Sequence, residues 1–150
     1  MFVLLFAITA FRYYYIINCP LDLSPDEAHY WEWSRRLDLS YYSKGPLIAY
    51  LIACTTRLIG NTVLGVRFFA PLFLALSSLF IYLLAMELFN DSKKGCTAAV
   101  VFQIIPLFTV YGIVMTTDSP LIFFWTLSLY LFWKAINSQG SGVRSQKIGN

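Results

Sequence analysis

The chain has 150 residues, of which 58% are hydrophobic and only 13% charged, and its net charge is +3. A soluble domain carries about 25% charged residues, and a core of this size has no room for so much apolar surface, so an ordinary water-soluble domain is excluded. No basic tract is dense enough for a nucleic-acid surface, and nucleic acid is excluded as a partner.

In chain order, residues 1–18 are apolar apart from Arg12 and include Tyr13, Tyr14 and Tyr15 towards their end. The segment lacks the basic start and small-residue cleavage site of a signal peptide, and the tyrosines suit an aromatic belt, so it reads as a first membrane span. A long polar loop, 19–66, follows. Within it Ser24-Pro25-Asp26-Glu27 predicts a helix start. Ser24 serves as N-cap, Pro25 suits the first helical position, and Glu27, three residues after the cap, completes a capping box. That helix is predicted to reach Arg36, with Asp26, Tyr30 and Trp33 on one stripe. A second is predicted from Pro46 to Gly60. Its Leu47, Ile48, Leu51, Ile52, Leu58 and Ile59 recur at helical spacing, with Arg57 and several threonines opposite. It is too mixed to span and reads as a helix lying in the membrane interface.

Phe68–Met86 and Gly95–Thr117 contain no charge, and each run is long enough to cross a hydrocarbon core, which takes about 20 residues. They predict spans at about 67–88 and 96–116, joined by a turn that carries Lys93 and Lys94. After the tight turn Thr117-Asp118-Ser119-Pro120, a fourth span runs over about 119–136, with Lys134 snorkelling at its end. Residues 137–150 are Gly/Ser-rich and basic, a composition expected of a mobile tail. The predicted class is an all-α integral membrane protein with four transmembrane helices and interfacial helices in the first outer loop.

Lys93 and Lys94 in a short loop, and Lys134, Arg144 and Lys147 near the end, place those regions in the cytoplasm by the positive-inside rule. With four spans the N-terminus joins them, while the 19–66 loop and Asp118 face outward. Cys19, Cys54 and Cys96 form no C-x-x-C pair. Cys19 and Cys54 share a side and are able to pair, although unpaired burial is the simpler reading.

Three places carry chemistry. Asp26-Glu27-Ala28-His29 spells a helicase-like string, but no phosphate loop G-x-x-x-x-G-K-[ST] accompanies it, so that reading fails. Asp26 and Glu27 instead lie where an apolar span ends, at the depth of a lipid headgroup, where a carboxylate can serve as general base. Capping alone also explains Glu27, and helix-dipole placement explains Asp26. Lys44 stands just before the second loop helix, beside Tyr42, where a helix N-terminus favours an anion such as a lipid phosphate. A lysine snorkelling to anionic headgroups is the plainer alternative. Asp118, at a membrane-edge turn, is a functional candidate or a cap of the last span. His29 is the only histidine and makes a poor metal site.

Taken together, Pro25-Asp26-Glu27-Ala28-His29-Tyr30-Trp31-Glu32-Trp33-Ser34, Tyr41-Tyr42-Ser43-Lys44-Gly45-Pro46-Leu47, Gly65-Val66-Arg67-Phe68 and Thr117-Asp118-Ser119-Pro120-Leu121 resemble bacterial GT-C glycosyltransferases. These are the relatives of protein O-mannosyltransferases and of the lipid A aminoarabinose transferase. The resemblance covers Arg12 to about Ala135. It implies inverting transfer from a polyprenyl-phosphate sugar to a lipid or protein acceptor at the outer face of the bacterial cytoplasmic membrane. It assigns Asp26 as the essential carboxylate, Glu27 as its acidic neighbour, and Lys44, Asp118, Tyr42 and Arg67 to the carrier-phosphate and substrate side.

Gly45 replaces the first proline of the family's pair. Ser43 stands where the aminoarabinose transferases carry a glutamate linked to metal binding, so no metal or cofactor is expected. Family members are longer, so the chain is expected to be an N-terminal part, a truncated frame or one piece of a split enzyme. The competing readings are a non-catalytic remnant or accessory subunit, and a transporter. Transport is disfavoured because Pro106 is an unpaired break.

Overall fold

The structure is a computed structural model that describes residues 1–18, 21–42 and 44–148, except for the side chains of residues 139–148. Cys19, with its suggested pairing to Cys54, Ser43, and the side chains of Arg144 and Lys147 lie outside the described residues. Every element among the described residues is an α-helix: α1 Phe2–Asn18, α2 Pro25–Ser34, α3 Leu47–Ile59, α4 Val63–Arg67, α5 Phe69–Phe89, α6 Ser92–Ile104, α7 Pro106–Tyr111 and α8 Asp118–Ile148.

Two stretches are long and apolar enough to cross a membrane: Val63–Phe89, in which α4 runs on into α5, and Asp118–Ser138 of α8. Phe2–Asn18 and Leu47–Ile59 are apolar but shorter. At 1.5 Å per residue, the 17 residues of α1 reach about 25 Å, somewhat less than a typical hydrocarbon core of about 30 Å. The segment read as one span over 96–116 is two helices. Pro106 has no N–H to donate and pushes its predecessor out of the helical region, and Ile105 is accordingly extended at φ −57°, ψ 122°. α8 continues past Asn137, where the sequence places the start of a tail.

α5 is the central helix and packs along α6 and α8, with α1 and α7 in lighter contact. The α5–α6 crossing is close because Gly95 has no side chain: a Cβ there would sit 2.9 Å from the Tyr82 carbonyl oxygen. Farther along the same pair, Gln103 Nε2 donates to Ser78 Oγ at 2.7 Å between buried residues. The turn between α5 and α6 uses Asn90 at φ 48°, a left-handed position that asparagine tolerates, and then Asp91, whose side chain caps α6 by accepting from the Lys93 N–H.

The polar loop is itself folded. α2 packs on α3, and α3 on α4. Tyr30, Ile48, Ile52, Val66, Ala70, Phe73 and Met115 form one buried cluster that joins the loop helices to the start of α5 and to the chain entering α8. α3 therefore buries Ile48, Ala49, Ile52 and Ala53 against protein. This cluster fixes where the candidate site sits.

Candidate active site and its buried ion pair

The start of α2 is built as its sequence dictates. Ser24 Oγ accepts from the Glu27 N–H and the Glu27 carboxylate accepts from the Ser24 N–H at 3.0 Å, with Pro25 in the first turn. The helix ends at Ser34, with Arg35 as C-cap, slightly before the predicted Arg36. Asp26 and Glu27 are neighbours with opposite fates. Asp26 is exposed and its carboxylate takes no hydrogen bond among the described residues. Glu27 is fully buried, at 0% exposure.

Glu27 does more than cap. Its Oε1 accepts from Arg67 Nε at 2.8 Å and from the Met115 N–H at 2.8 Å, and its Oε2 accepts from Arg67 Nη2 at 2.7 Å. Arg67 donates further to the Asp22 carbonyl at 3.0 Å and the Leu21 carbonyl at 3.5 Å. Burial works to raise the Glu27 pKa, but the Arg67 guanidinium and the two backbone N–H groups outweigh it, and the carboxyl is held below its ordinary value. One buried carboxylate thus ties together α2, the α4–α5 junction and the chain before α8. Arg67, grouped by resemblance with the carrier-phosphate residues, is 4% exposed and directs its donors at Glu27 and these carbonyls.

Lys44 lies midway along the loop in sequence but meets the same chain segment: its Nζ donates to Thr117 Oγ1 at 3.2 Å. Thr117 precedes Asp118, which opens α8, is partly exposed and lies beside the Tyr111 phenol. The turn is closed by Ser119 Oγ donating to the Tyr111 carbonyl at 2.9 Å and by the Asp118 N–H donating to Thr116 Oγ1 at 3.3 Å. Next to Lys44 and Thr117 runs an apolar groove of about 470 Å³, lined by Gly45, Pro46, Leu47, Tyr50, Leu121 and Phe124 among others.

The short segment 115–118 therefore gathers the separated motifs. Glu27, next to Asp26, holds Met115, while Lys44 holds Thr117, one residue before Asp118. Tyr42 is not drawn in: it is wholly exposed. Among the described residues no three His, Cys, Asp or Glu side chains cluster as a metal set, and Cys54 and Cys96 are unpaired. Sequence reasoning missed Thr117 as the partner of Lys44 and the Glu27–Arg67 pair. The one available signal for the pair was an arginine at the entrance of an otherwise uncharged span.

A family model for dolichyl-phosphate-mannose-protein mannosyltransferase matches residues 43–143. The lipid A galacturonosyltransferase RgtD of Rhizobium johnstonii is 32% identical over 123 residues, covering 81% of this chain and 26% of that protein. An undecaprenyl phosphate-alpha-4-amino-4-deoxy-L-arabinose arabinosyl transferase of Wigglesworthia glossinidia brevipalpis is 30% identical over 154 residues, covering 91% of this chain and 26% of that protein. A second transferase of that name, from Pseudomonas fluorescens, is 26% identical over 132 residues, covering 80% and 24%. The chain thus spans about a quarter of the length of these curated relatives. No solved structure matches it significantly. With two-thirds of its residues inside the family match and the motifs gathered on one turn, the chain belongs to the dolichyl-phosphate-mannose-protein mannosyltransferase family of membrane glycosyltransferases.

Proposed function

We propose that this chain is part of a glycosyltransferase that takes a sugar from a polyprenyl-phosphate donor and passes it to a lipid or protein acceptor at the outer face of the bacterial cytoplasmic membrane. In this reading α1, α4–α5, α6–α7 and α8 are four crossings, with α2 and α3 outside. The observation that carries it is the Lys44–Thr117 contact beside an apolar groove, because a polyprenyl phosphate needs an apolar channel for its chain and a cation for its headgroup.

The chemistry needs little more. The acceptor oxygen attacks the anomeric carbon from the face opposite the phosphate, and the carbon–oxygen bond to phosphate breaks with its electron pair leaving on the carrier. That phosphate is already a competent leaving group. Lys44 neutralises the charge it gains, and Asp118 stands on the adjoining turn. Asp26 takes the acceptor's proton. Its exposure leaves it open to substrate, and the capped first turn of α2 holds its backbone rigidly. Glu27 and Arg67 act behind it, fixing α2 against the 115–118 segment. No resident cofactor takes part.

The test is donor binding. Purified protein in lipid nanodiscs should bind undecaprenyl phosphate saturably. Lys44→Ala should weaken that binding about tenfold or more, since a hydrogen bond to a charged group is worth about 1.5–3 kcal/mol. Equal affinity in the variant would show that Lys44 merely snorkels, and the proposed carrier site would be lost.

A further inference from the structure

A second concave surface lies in the folded loop, away from the Lys44 groove and sharing no residue with it. It is a polar groove of about 350 Å³ where the C-terminal ends of α2 and α3 meet, lined by Ser34, Arg35, Ala53, Thr56, Arg57 and Asn61. Ala53 is 3% exposed and, being small, leaves the recess open. The Ser34 and Thr56 hydroxyls already donate to the Trp31 and Ile52 carbonyls. The donors left for a ligand are the Asn61 amide and two guanidiniums.

Arginine at a helix C-terminus is stable without any ligand, because the helix dipole favours a cation there. That accounts for Arg35 and Arg57 one at a time. It does not account for both lining one recess with no carboxylate among the lining residues. Both side chains are exposed and neither makes an ion pair among the described residues, where Glu27–Arg67 is the recorded pair. Glu32, on the same helix as Arg35, borders a separate recess with Arg35 and Arg36. Arg35 also lies over the Trp31 ring at 5.1 Å, which holds its guanidinium in place before any ligand arrives. Two like charges sharing a concavity repel, and an anion between them removes the repulsion while accepting forked N–H bonds from both.

We propose that this groove binds the phosphate group of an anionic ligand, carried either by a lipid headgroup or by a free phosphate. It is a site apart from the donor's, so its failure would leave the Lys44 reading standing.

The experiment uses the protein in neutral maltoside micelles. The probes are inorganic phosphate and short-chain dihexanoyl-phosphatidylglycerol, read by calorimetry and by the tryptophan emission that Trp31 contributes beneath Arg35. At least one probe should bind saturably. Arg35→Gln and Arg57→Gln, both at exposed positions, should each weaken that binding about tenfold, the loss expected for a charge-assisted hydrogen bond. Lys93→Gln, which removes an exposed cation at the start of α6, outside both grooves, should leave it unchanged. Binding of both probes would mean that phosphate alone is recognised, and binding of phosphatidylglycerol alone would identify a lipid headgroup. Binding of neither probe, or equal affinity in both glutamine variants, would overturn the proposal.

Discussion

Arg67→Met removes a guanidinium that donates to both oxygens of Glu27 and to two loop carbonyls, and leaves the fully buried carboxylate with only the Ser24 and Met115 N–H groups. Stripping one partner from a buried ion pair costs about 3–5 kcal/mol, because the other charge is stranded out of water. Glu27→Gln in the native protein strands the buried Arg67 guanidinium in the same way, sets an amide donor against donors from Arg67 or the backbone, and costs about 3–5 kcal/mol. In the Arg67→Met background the same glutamine change removes the stranded charge while keeping an oxygen for an N–H, so there it stabilises. The sign of the Glu27→Gln effect therefore reverses with the background.

The pH dependence changes too. In the native protein the Glu27 pKa lies below its ordinary value of about 4.5, so the folded state binds fewer protons there than the unfolded state. Its contribution is complete above that ordinary value and is lost as pH falls through the folded value. Without Arg67, burial, the largest single influence on Glu27, is opposed only by the Ser24 and Met115 N–H groups, so that loss of stability towards low pH shrinks. Unfolding by sodium dodecyl sulfate in mixed micelles, followed by circular dichroism, measures all four proteins. Additive effects of the two substitutions, or parallel pH profiles, would refute the coupling argued here.

Two further predictions concern catalysis and topology. In an active, full-length transferase carrying this segment, Asp26→Asn should cost about 1 kcal/mol of stability or less, since only a helix-start charge is lost. With a hydroxyl acceptor its turnover should nevertheless fall about a hundredfold or more. An acceptor that is itself a phosphate has no proton to give up and would show a smaller loss, whereas a hydroxyl acceptor transferred at nearly the native rate would make Asp26 a capping residue. For topology, cysteines introduced at the exposed Ser40 and Ser92, in a background lacking the native cysteines, should differ towards an impermeant maleimide on intact cells. Ser40 should label and Ser92 should not, and the opposite pattern would invert the orientation.

Local features were legible wherever neighbours in sequence decide them. The capping box of Ser24 and Glu27 was written in four consecutive residues, and α3 lies between Pro46, whose fixed φ suits a helix start, and Gly60, whose φ of 96° ends it. The break at Ile105–Pro106 had its proline on display, yet the hydropathy of the uncharged run from Gly95 to Thr117 gave no sign of a helix break, because hydropathy does not register a lost N–H. The extent of membrane crossing was less legible, since α1 and α3 are apolar but short.

Which carboxylate of the Asp26-Glu27 pair stays open and which is buried was decided by tertiary structure. The two are adjacent, both acidic, and both in the first turn of α2. One faces the cluster around Tyr30 and Met115, where Arg67 arrives from 40 residues away, and the other faces out. The same holds for Lys44, whose partner Thr117 is 73 residues distant. By itself the sequence determined the apolar character, the helix starts and stops, and the family motifs, because each depends on composition or on contacts within a few residues. Only the tertiary structure brought Glu27 and Lys44 to the 115–118 segment that carries Asp118, because hydrogen bonds across such separations form only after α2, α3 and α5 have packed.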